Sequence, residues 1–375
     1  MDNLTASRTI GTPFDQAMMQ RCLQLARHGI GKTSPNPLVG AVIVQNGKIV
    51  GEGYHPGVGE PHAEVFALRQ AGDQGRGATL YVNLEPCNHY GRTPPCSEAV
   101  IQAGIRQVVM GMADPNVTAS GGRQKLEEAG ISVVVGVEEK ACRELNAGFI
   151  HRILYQRPFG LFKYAMTLDG KIATTVGHSA WVTDIPARNR VYHERSQCDA
   201  VIVGGNTVRQ DNPHLTTHHL TEQNPLRIVM SRSLDFSPEA HIFQTNEAPT
   251  LVLTEKENCQ QAQELKKQGV EVLQLSPLTP SRVMKYLYER GLARVLWECG
   301  GTLAAKAIQE GAVQKILAFI APKIIGGVGA PTPVGDLNFK QMTEALQLEE
   351  MTWEQLGNDY LFIGKVPASV WDKNQ

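Results

Sequence analysis

The chain has 375 residues, 42% of them hydrophobic and 19% charged, with a formal net charge of -1 at pH 7. That length suggests two to three domains of about 150 residues, and the composition excludes a disordered or coiled-coil chain. The balanced charge gives no support to a dominant nucleic-acid surface, and no apolar run approaches the ~20 residues of a membrane span.

In chain order, the pattern predicts a helix from Phe14 to His28, stopped by Gly29, and then a buried strand over Val39 to Val44. Asn46-Gly47 is a two-residue hairpin signal, with Lys48 to Gly53 as the returning strand. A helix follows from Pro61 to Ala71. Short β-rich runs at Thr79 to Asn83, Val108 to Met112 and Ile131 to Val137 alternate with helical stretches at Cys96 to Ala103 and Gly122 to Ala129. Such alternation implies an α/β layered sheet.

A helix-like stretch from Glu138 to Ala147 leads to Arg157-Pro158, and a new strand opens at Leu161. The expected domains are therefore residues 1–156 and 157–375. The second part has strand-like runs at Ala200 to Val203, Arg227 to Met230, Thr250 to Leu253, Val270 to Leu273, Val295 to Trp297 and Ile316 to Ala321. Its best-marked helix has Thr279 as cap, Pro280 at the first helical position and Gly291 past the end. A hairpin pairing Leu346 to Leu348 with Tyr360 to Ile363 across Gly357-Asn358 is expected to close the sheet. Seven scattered cysteines form no disulfide framework, and the N-terminus shows no secretory pattern. The expected setting is cytoplasmic, or another reducing compartment of plastid type.

Three short segments, Pro61-His62-Ala63-Glu64, Pro86-Cys87 and Pro95-Cys96, share one grammar, with proline placed to open a helix. His62, Cys87 and Cys96 are then expected at helix N-termini, where the dipole and unpaired N–H groups favour thiolates. Two thiolates and one imidazole suit zinc, and three protein ligands leave a fourth position for water, as in a catalytic site. Glu64 is placed to hold that water without ligating the metal. Zinc lowers the pKa of its water toward ~7, and Glu64 can carry the proton to a ring nitrogen and a leaving amine. His-x-Glu followed by Pro-Cys is the pattern of zinc deaminases, although eight residues separate Cys87 from Cys96 here. The other cysteines read as buried thiols. His55 and His89 could each touch substrate or be satisfied polar residues.

The motifs SPNPLVGAVIV at Ser34 to Val44, HAE at His62 to Glu64 and EPCNHYGRTPPC at Glu85 to Cys96 resemble the deaminase half of the bifunctional riboflavin-biosynthesis deaminase/reductase family. The resemblance implies a cytidine-deaminase-like α/β/α layered domain acting on a phosphoribosylated diaminohydroxypyrimidine, with Asn36 and His55 lining the pyrimidine pocket.

In the second half, VIVGGNTV at Val201 to Val208 and LWECGGTLAAK at Leu296 to Lys306 place tandem glycines between a strand and a helix. Either junction can be a phosphate-binding turn or only a tight turn. The G-x-G-x-x-G fingerprint is absent, so a dinucleotide would be held in another manner. FKYAMTLDGKIAT at Phe162 to Thr174, with Trp181, Arg195 and RQDNP at Arg209 to Pro213, resembles the reductase half of the same family. That resemblance implies an α/β domain similar to dihydrofolate reductase. It implies NADPH contacts from Ala165, Trp181, Thr207, Asp211, Ser231 and the loop Gly300 to Lys306, including Gly301 and Thr302. It implies ribosyl-phosphate contacts from Ser179, Arg195, Leu215 and Glu298, and reduction of the ribose to ribityl. Where the family carries an arginine after its Leu-Thr pair, this chain has His218 and His219, leaving Arg195 as the expected phosphate anchor. The reading is thus a zinc- and NADPH-dependent bifunctional enzyme of small-molecule substrates, of a kind usually homo-oligomeric. The alternative is a deaminase whose second domain no longer reduces.

Overall fold

A computed structural model describes residues 10–91, 94–221, 223–256 and 259–372. The chain divides into two compact units between Tyr155 and Gln156.

The first unit has a five-stranded sheet built from β1 (Gly40–Gln45), β2 (Lys48–Tyr54), β3 (Thr79–Val82), β4 (Gln107–Met110) and β5 (Ser132–Val135), in the order β2-β1-β3-β4-β5. The β1/β2 hairpin turns at Asn46-Gly47, both with positive φ, as a tight two-residue turn requires. β3, β4 and β5 run parallel. Helix α1 (Pro13–Ala26) is capped by Thr12, whose hydroxyl accepts from the Asp15 backbone N–H. It ends two residues before the expected His28, because Arg27–Gly29 tightens into a 3-10 turn.

Helix α2 (Ala63–Ala71) lies directly on β2. A Cβ at Gly51 would stand 2.2 Å from the Ala67 carbonyl oxygen, and one at Gly53 would stand 2.4 Å from that of Ala63. The two glycines therefore bring the helix start, with His62 and Glu64, close against the sheet. Helices α3 (Cys96–Gln102) and α4 (Gly122–Glu128) complete the alternation. The stretch expected as one helix from Glu138 to Ala147 is two helices, α5 (Glu139–Leu145) and α6 (Ala147–Tyr155). They break at Asn146, whose side chain turns inward to bond both backbone groups of Leu38.

The second unit has nine strands in the order β10-β9-β8-β7-β11-β6-β12-β14-β13. These are β6 (Phe159–Thr167), β7 (Ala200–Gly204), β8 (Leu226–Met230), β9 (Thr250–Thr254), β10 (Glu271–Gln274), β11 (Arg294–Trp297), β12 (Lys315–Ala321), β13 (Glu349–Leu356) and β14 (Asp359–Lys365). The strands from β10 to β12 run parallel, while β14 and β13 join antiparallel at one edge. Alternate residues of β7 feed two separate cores, Val201 and Val203 into one and Ala200 and Ile202 into the other, so both faces of the sheet are covered. Helices α7 (Ile185–Ser196), α8 (Gly205–Asp211), α9 (Gln260–Lys267), α10 (Pro280–Glu289), α11 (Gly301–Gln309) and α12 (Ala368–Trp371) connect and flank the strands. Thr279 caps α10, accepting from the Arg282 backbone N–H.

The closing hairpin turns at Gly357-Asn358 as expected, but its first strand starts at Glu349 and not at Leu346. Leu346 and Leu348 pack on the core before the strand begins, while β13 is an exposed edge with a polar sequence and no apolar run to mark it. No described helix is long and apolar enough to cross a membrane.

Candidate active sites

In the first unit, His62, Cys87 and Cys96 converge, each offering a donor atom within 4.8 Å of the others. His62 is the N-cap of α2, and Cys96 opens α3 with Pro95 as its N-cap. Cys87, expected at a helix N-terminus, lies instead in the irregular segment after β3. That segment bonds outward in place of coiling. Glu85 accepts from the backbone N–H groups of Asp114, Gly121 and Arg123 at 3.1, 3.1 and 2.9 Å. Pro86 packs so closely on Gly122 that a Cβ there would meet its carbonyl oxygen at 1.8 Å. Cys87 nevertheless gains a helix end, since its Sγ accepts from the Cys96 N–H at 3.4 Å and its carbonyl from that of Ser97 at 3.2 Å. Sequence reading missed the Glu85 staple, for which an acidic residue inside an otherwise apolar strand exit was the signal. Arg92 and Thr93 of the EPCNHYGRTPPC motif lie outside the described residues.

The nitrogen turned to the thiols is Nδ1 of His62, 3.2 Å from Cys96 Sγ and 3.4 Å from Cys87 Sγ. The edges of a tetrahedron with zinc–sulfur and zinc–nitrogen bonds of ordinary length are about 3.5–3.8 Å, so the three donors fit a zinc ion with little movement. The Cys87 thiol is lowered to about 4, chiefly by its hydrogen bond with Cys96, whose own thiol is raised in turn. Hydrogen bonding to Cys87 raises the His62 imidazole to about 9. This is a thiolate–imidazolium pair of the kind a divalent cation displaces. Glu64 is buried, and among the described residues its Oε2 has no hydrogen-bond partner. Burial pushes its carboxyl up to about 7.

Asn36 and His55 stand beside this cluster. His55 is buried, with Nδ1 3.1 Å from the Pro61 carbonyl oxygen and Nε2 3.1 Å from Asn36 Nδ2. Donation from Nδ1 leaves Nε2 as the acceptor, so the Asn36 amide is turned with its nitrogen to His55 and its oxygen without a hydrogen bond among the described residues. Asn36, His62, Cys87 and His89 line a cavity of about 300 Å³.

In the second unit, a cavity of about 1070 Å³ opens at the carboxyl ends of β6, β7 and β11, where ligands bind in parallel α/β sheets. Of the residues expected around the cofactor, Ala165, Trp181, Thr207, Asp211, Gly300, Gly301, Thr302 and Lys306 line it. Ser231 is buried behind Gly205, where its hydroxyl accepts from the Leu234 N–H. Ser179, Arg195, Leu215 and Glu298 also line the cavity. Ser179 donates to Asp211 at 2.6 Å.

The tandem glycines divide their work. A Cβ at Gly300 would meet nothing within 4 Å, whereas one at Gly301 would stand 2.7 Å from the Thr332 carbonyl oxygen. Gly300 thus leaves open space at the start of α11, and Gly301 is needed for packing.

Glu298 is the electrostatic centre of the cavity. Arg195 grips it with Nε at 2.6 Å and Nη2 at 3.0 Å, and Lys163 Nζ adds a contact at 3.4 Å. Burial alone would raise its carboxyl, but Arg195 and Lys163 outweigh that and hold it at about 2. Arg195 also donates to the Thr216 carbonyl oxygen at 2.9 Å. Three of its N–H groups are therefore already used. Sequence reading missed Lys163, although a lysine inside the apolar β6 is a visible anomaly. It also missed Arg188, whose guanidinium lies 4.0 Å from the Trp181 ring centroid.

A family model described as the cytidine and deoxycytidylate deaminase zinc-binding region matches residues 12–112. A second, described as the RibD C-terminal domain, matches residues 158–362. The riboflavin biosynthesis protein RibD of Synechocystis sp. is 61% identical over 353 residues, covering 93% of this chain and 96% of its own. RibD of Aquifex aeolicus is 45% identical over 354 residues, covering 94% and 98%. Among solved structures, RibD of Acinetobacter baumannii superposes with a TM-score of 0.84 at 37% identity, covering 94% of this chain and 99% of its own. The diaminohydroxyphosphoribosylaminopyrimidine deaminase/5-amino-6-(5-phosphoribosylamino)uracil reductase of Thermotoga maritima gives 0.85 at 35% identity, with the same coverage of 94% and 99%. With a cytidine-deaminase-like unit followed by a dihydrofolate-reductase-like unit, and a relative matched over 93% of its length, the chain belongs to the RibD family of bifunctional deaminase/reductase enzymes of riboflavin biosynthesis.

Proposed function

We propose that the first unit hydrolytically deaminates 2,5-diamino-6-(5-phosphoribosylamino)pyrimidin-4-one, and that the second reduces the ribosyl group of the uracil product to ribityl with NADPH. The observation that carries this reading is the convergence of His62, Cys87 and Cys96 beside a buried Glu64 with an unpartnered oxygen. His62 Nδ1 and the two thiolates would hold zinc. When bound, zinc supplies a Lewis acid that makes water nucleophilic at neutral pH. Glu64 would take one proton from the attacking water and pass it to the ring nitrogen, and then carry the second, from the hydroxyl left on the ring carbon, to the amine, which departs as ammonia. Asn36, fixed by His55 with its amide oxygen free, accepts from an amino group of the pyrimidine and sets the ring in register with Glu64.

In the second unit the cavity has room for a dinucleotide and a substrate together, being at the upper end of ordinary ligand sites of about 300–1,000 Å³. When bound, NADPH supplies hydride to C1 of the ribose. Gly300 and the start of α11 admit its phosphates, with Lys306 on the same helix, and Ala165, Thr207 and Asp211 line its path. Glu298, clamped by Arg195 and Lys163, is a fixed acceptor for ribose hydroxyls, and such fixation is what hydride transfer requires.

Ammonia release and NADPH oxidation, followed together for the wild type and Glu64→Ala on the diaminopyrimidine substrate, test this reading. The wild type is expected to show both, and the variant neither until given the deaminated intermediate. Ammonia release without any NADPH oxidation, even from the intermediate, would contradict the reductase assignment.

A further inference from the structure

The eight residues between Cys87 and Cys96 set this chain apart from the zinc-deaminase pattern that has two residues between its cysteines. Ligands at the ends of a longer loop are harder to keep together. Closure falls as about the three-halves power of loop length, so a fourfold longer insert is found closed roughly eightfold less often. The two thiols nevertheless converge with His62, and the base of the insert shows what holds them.

Hydrogen bonds cross that base like rungs. The innermost is backbone, the Ser97 N–H donating to the Cys87 carbonyl oxygen at 3.2 Å. Next, the Ser97 hydroxyl donates to Asn88 Oδ1 at 3.0 Å. Farther out, the Tyr90 hydroxyl donates to Glu98 at 2.7 Å. The side-chain rungs differ in burial, since Ser97 is fully buried and Asn88 half-buried, whereas Tyr90 is exposed. A hydrogen bond shielded from water is the stronger and keeps its geometry, so the rung between Asn88 and Ser97 is the one that fixes the width of the insert.

Asn88 is itself anchored. Its backbone N–H donates to the Ala119 carbonyl oxygen at 2.9 Å, while Glu85, on the other side of Cys87, accepts from the N–H groups of Gly121 and Arg123. Cys87 is thus strapped at both flanks to one segment, Ala119 to Arg123. Ser97 follows Cys96 in the first turn of α3, so its hydroxyl joins the second cysteine to the same strap. Past this rung, His89 and Gly91 line the cavity of the deaminase unit.

We infer that Asn88 and Ser97 form a positioning clamp that closes the long insert, holds Cys87 and Cys96 at metal-binding separation and leaves the rest of the insert to wall the substrate cavity. The inference rests on the zinc reading above and deepens it, since neither residue is among the three converging donors. Groups that orient metal ligands in this way commonly govern about 10–100-fold of metal affinity.

The zinc affinity of the full chain, measured by competition with a chromogenic chelator, tests the clamp without recourse to turnover. Ser97→Ala and Asn88→Ala are each expected to weaken zinc binding about tenfold. Because the two share one hydrogen bond, the double variant is expected to bind no more weakly than either single one. Tyr90→Phe, which opens only the exposed rung, should stay within about twofold of the wild type. A bond that merely supported the fold would lower the unfolding temperature of the zinc-free chain and leave zinc affinity unmoved. Wild-type affinity in both single variants would therefore overturn the clamp. So would a double variant weakened about a hundredfold, the product of independent effects, or a loss in Tyr90→Phe as large as in Ser97→Ala. If Ser97→Ala does not fold, Asn88→Ala, at a half-exposed position, carries the comparison with Tyr90→Phe by itself. A wild type that takes up no zinc contradicts the zinc reading, and the clamp with it, whereas equal uptake by wild type and variants contradicts the clamp alone.

Discussion

The deaminase site takes its reactive side chains from the chain between His62 and Cys96, whereas the reductase cavity draws on residues from Lys163 to Pro331. The first site is defined by donor atoms that must lie within bonding reach of one ion, and its spacing is correspondingly tight. The second is held by ion pairs and by backbone left bare at glycines, and its residues come from the ends of parallel strands and from the loops and helices around them. A site built for a metal tolerates almost no change of residue type, while a site built for a large cofactor distributes its binding over many contacts. Single substitutions should therefore act all-or-none in the first unit and by degrees in the second.

The largest effect is expected at Cys96. Cys96→Ser removes one of the three converging donors, and ammonia release should fall roughly a thousandfold or more, about 4 kcal/mol of barrier, with bound zinc lost by elemental analysis. NADPH oxidation from the deaminated intermediate should stay at its wild-type rate. Retained zinc and activity would mean that the cluster is not the metal site.

Glu298→Gln comes next. It leaves Arg195 and Lys163 buried without their counter-charge, which costs about 3–5 kcal/mol, and NADPH oxidation should fall while ammonia release persists. The pH dependence has a definite sign. The folded carboxyl sits near 2, below its ordinary 4.5, so its stabilisation is present above 4.5 and is lost as pH falls from there toward 2. Thermal unfolding of the wild type should therefore weaken more steeply than that of Glu298→Gln across this window. Parallel curves would show that the clamp does not stabilise the fold.

Glu85→Gln tests the staple behind Cys87. One of three backbone N–H groups loses its partner, and the cost should be about 1–3 kcal/mol, seen as a lower unfolding temperature and weaker zinc retention. No change in zinc retention would separate the staple from the site.

The smallest effects separate the two adjacent glycines. Gly300 has φ -70 and ψ 164, open to any residue, and faces empty space. Gly300→Ala should raise stability by about 0.4–1 kcal/mol yet weaken NADPH binding in a fluorescence titration. Gly301→Ala meets the Thr332 carbonyl oxygen at 2.7 Å and should lose about 1–3 kcal/mol. Identical behaviour of the two variants would remove the case for phosphate contact at Gly300.

These contrasts also explain what the sequence could show. The His-x-Glu and Pro-Cys segments were legible because zinc accepts few donor types, and the β1/β2 hairpin because Asn46-Gly47 satisfies a turn few other pairs can make. The loop at Cys87 was not, since its path depends on Glu85 meeting backbone more than twenty-five residues away. The break between α5 and α6 was hidden for the same reason, Asn146 being used by Leu38 across the fold. β13 went unread because its two alternating apolar residues, Met351 and Trp353, lie on an exposed edge and form no apolar run. In the cavity, the alliance of Lys163, Arg195 and Glu298 joins three distant segments, and no local spacing announces it.

The central claim is that the metal serves one unit and the nicotinamide cofactor the other. Stripping zinc with a chelator, then assaying ammonia release from the diaminopyrimidine and NADPH oxidation from the deaminated intermediate on the same sample, tests it most directly. The account predicts that ammonia release is lost and restored by added zinc, while NADPH oxidation is unchanged throughout. Loss of both activities, or of neither, in a sample shown to be free of metal would contradict it.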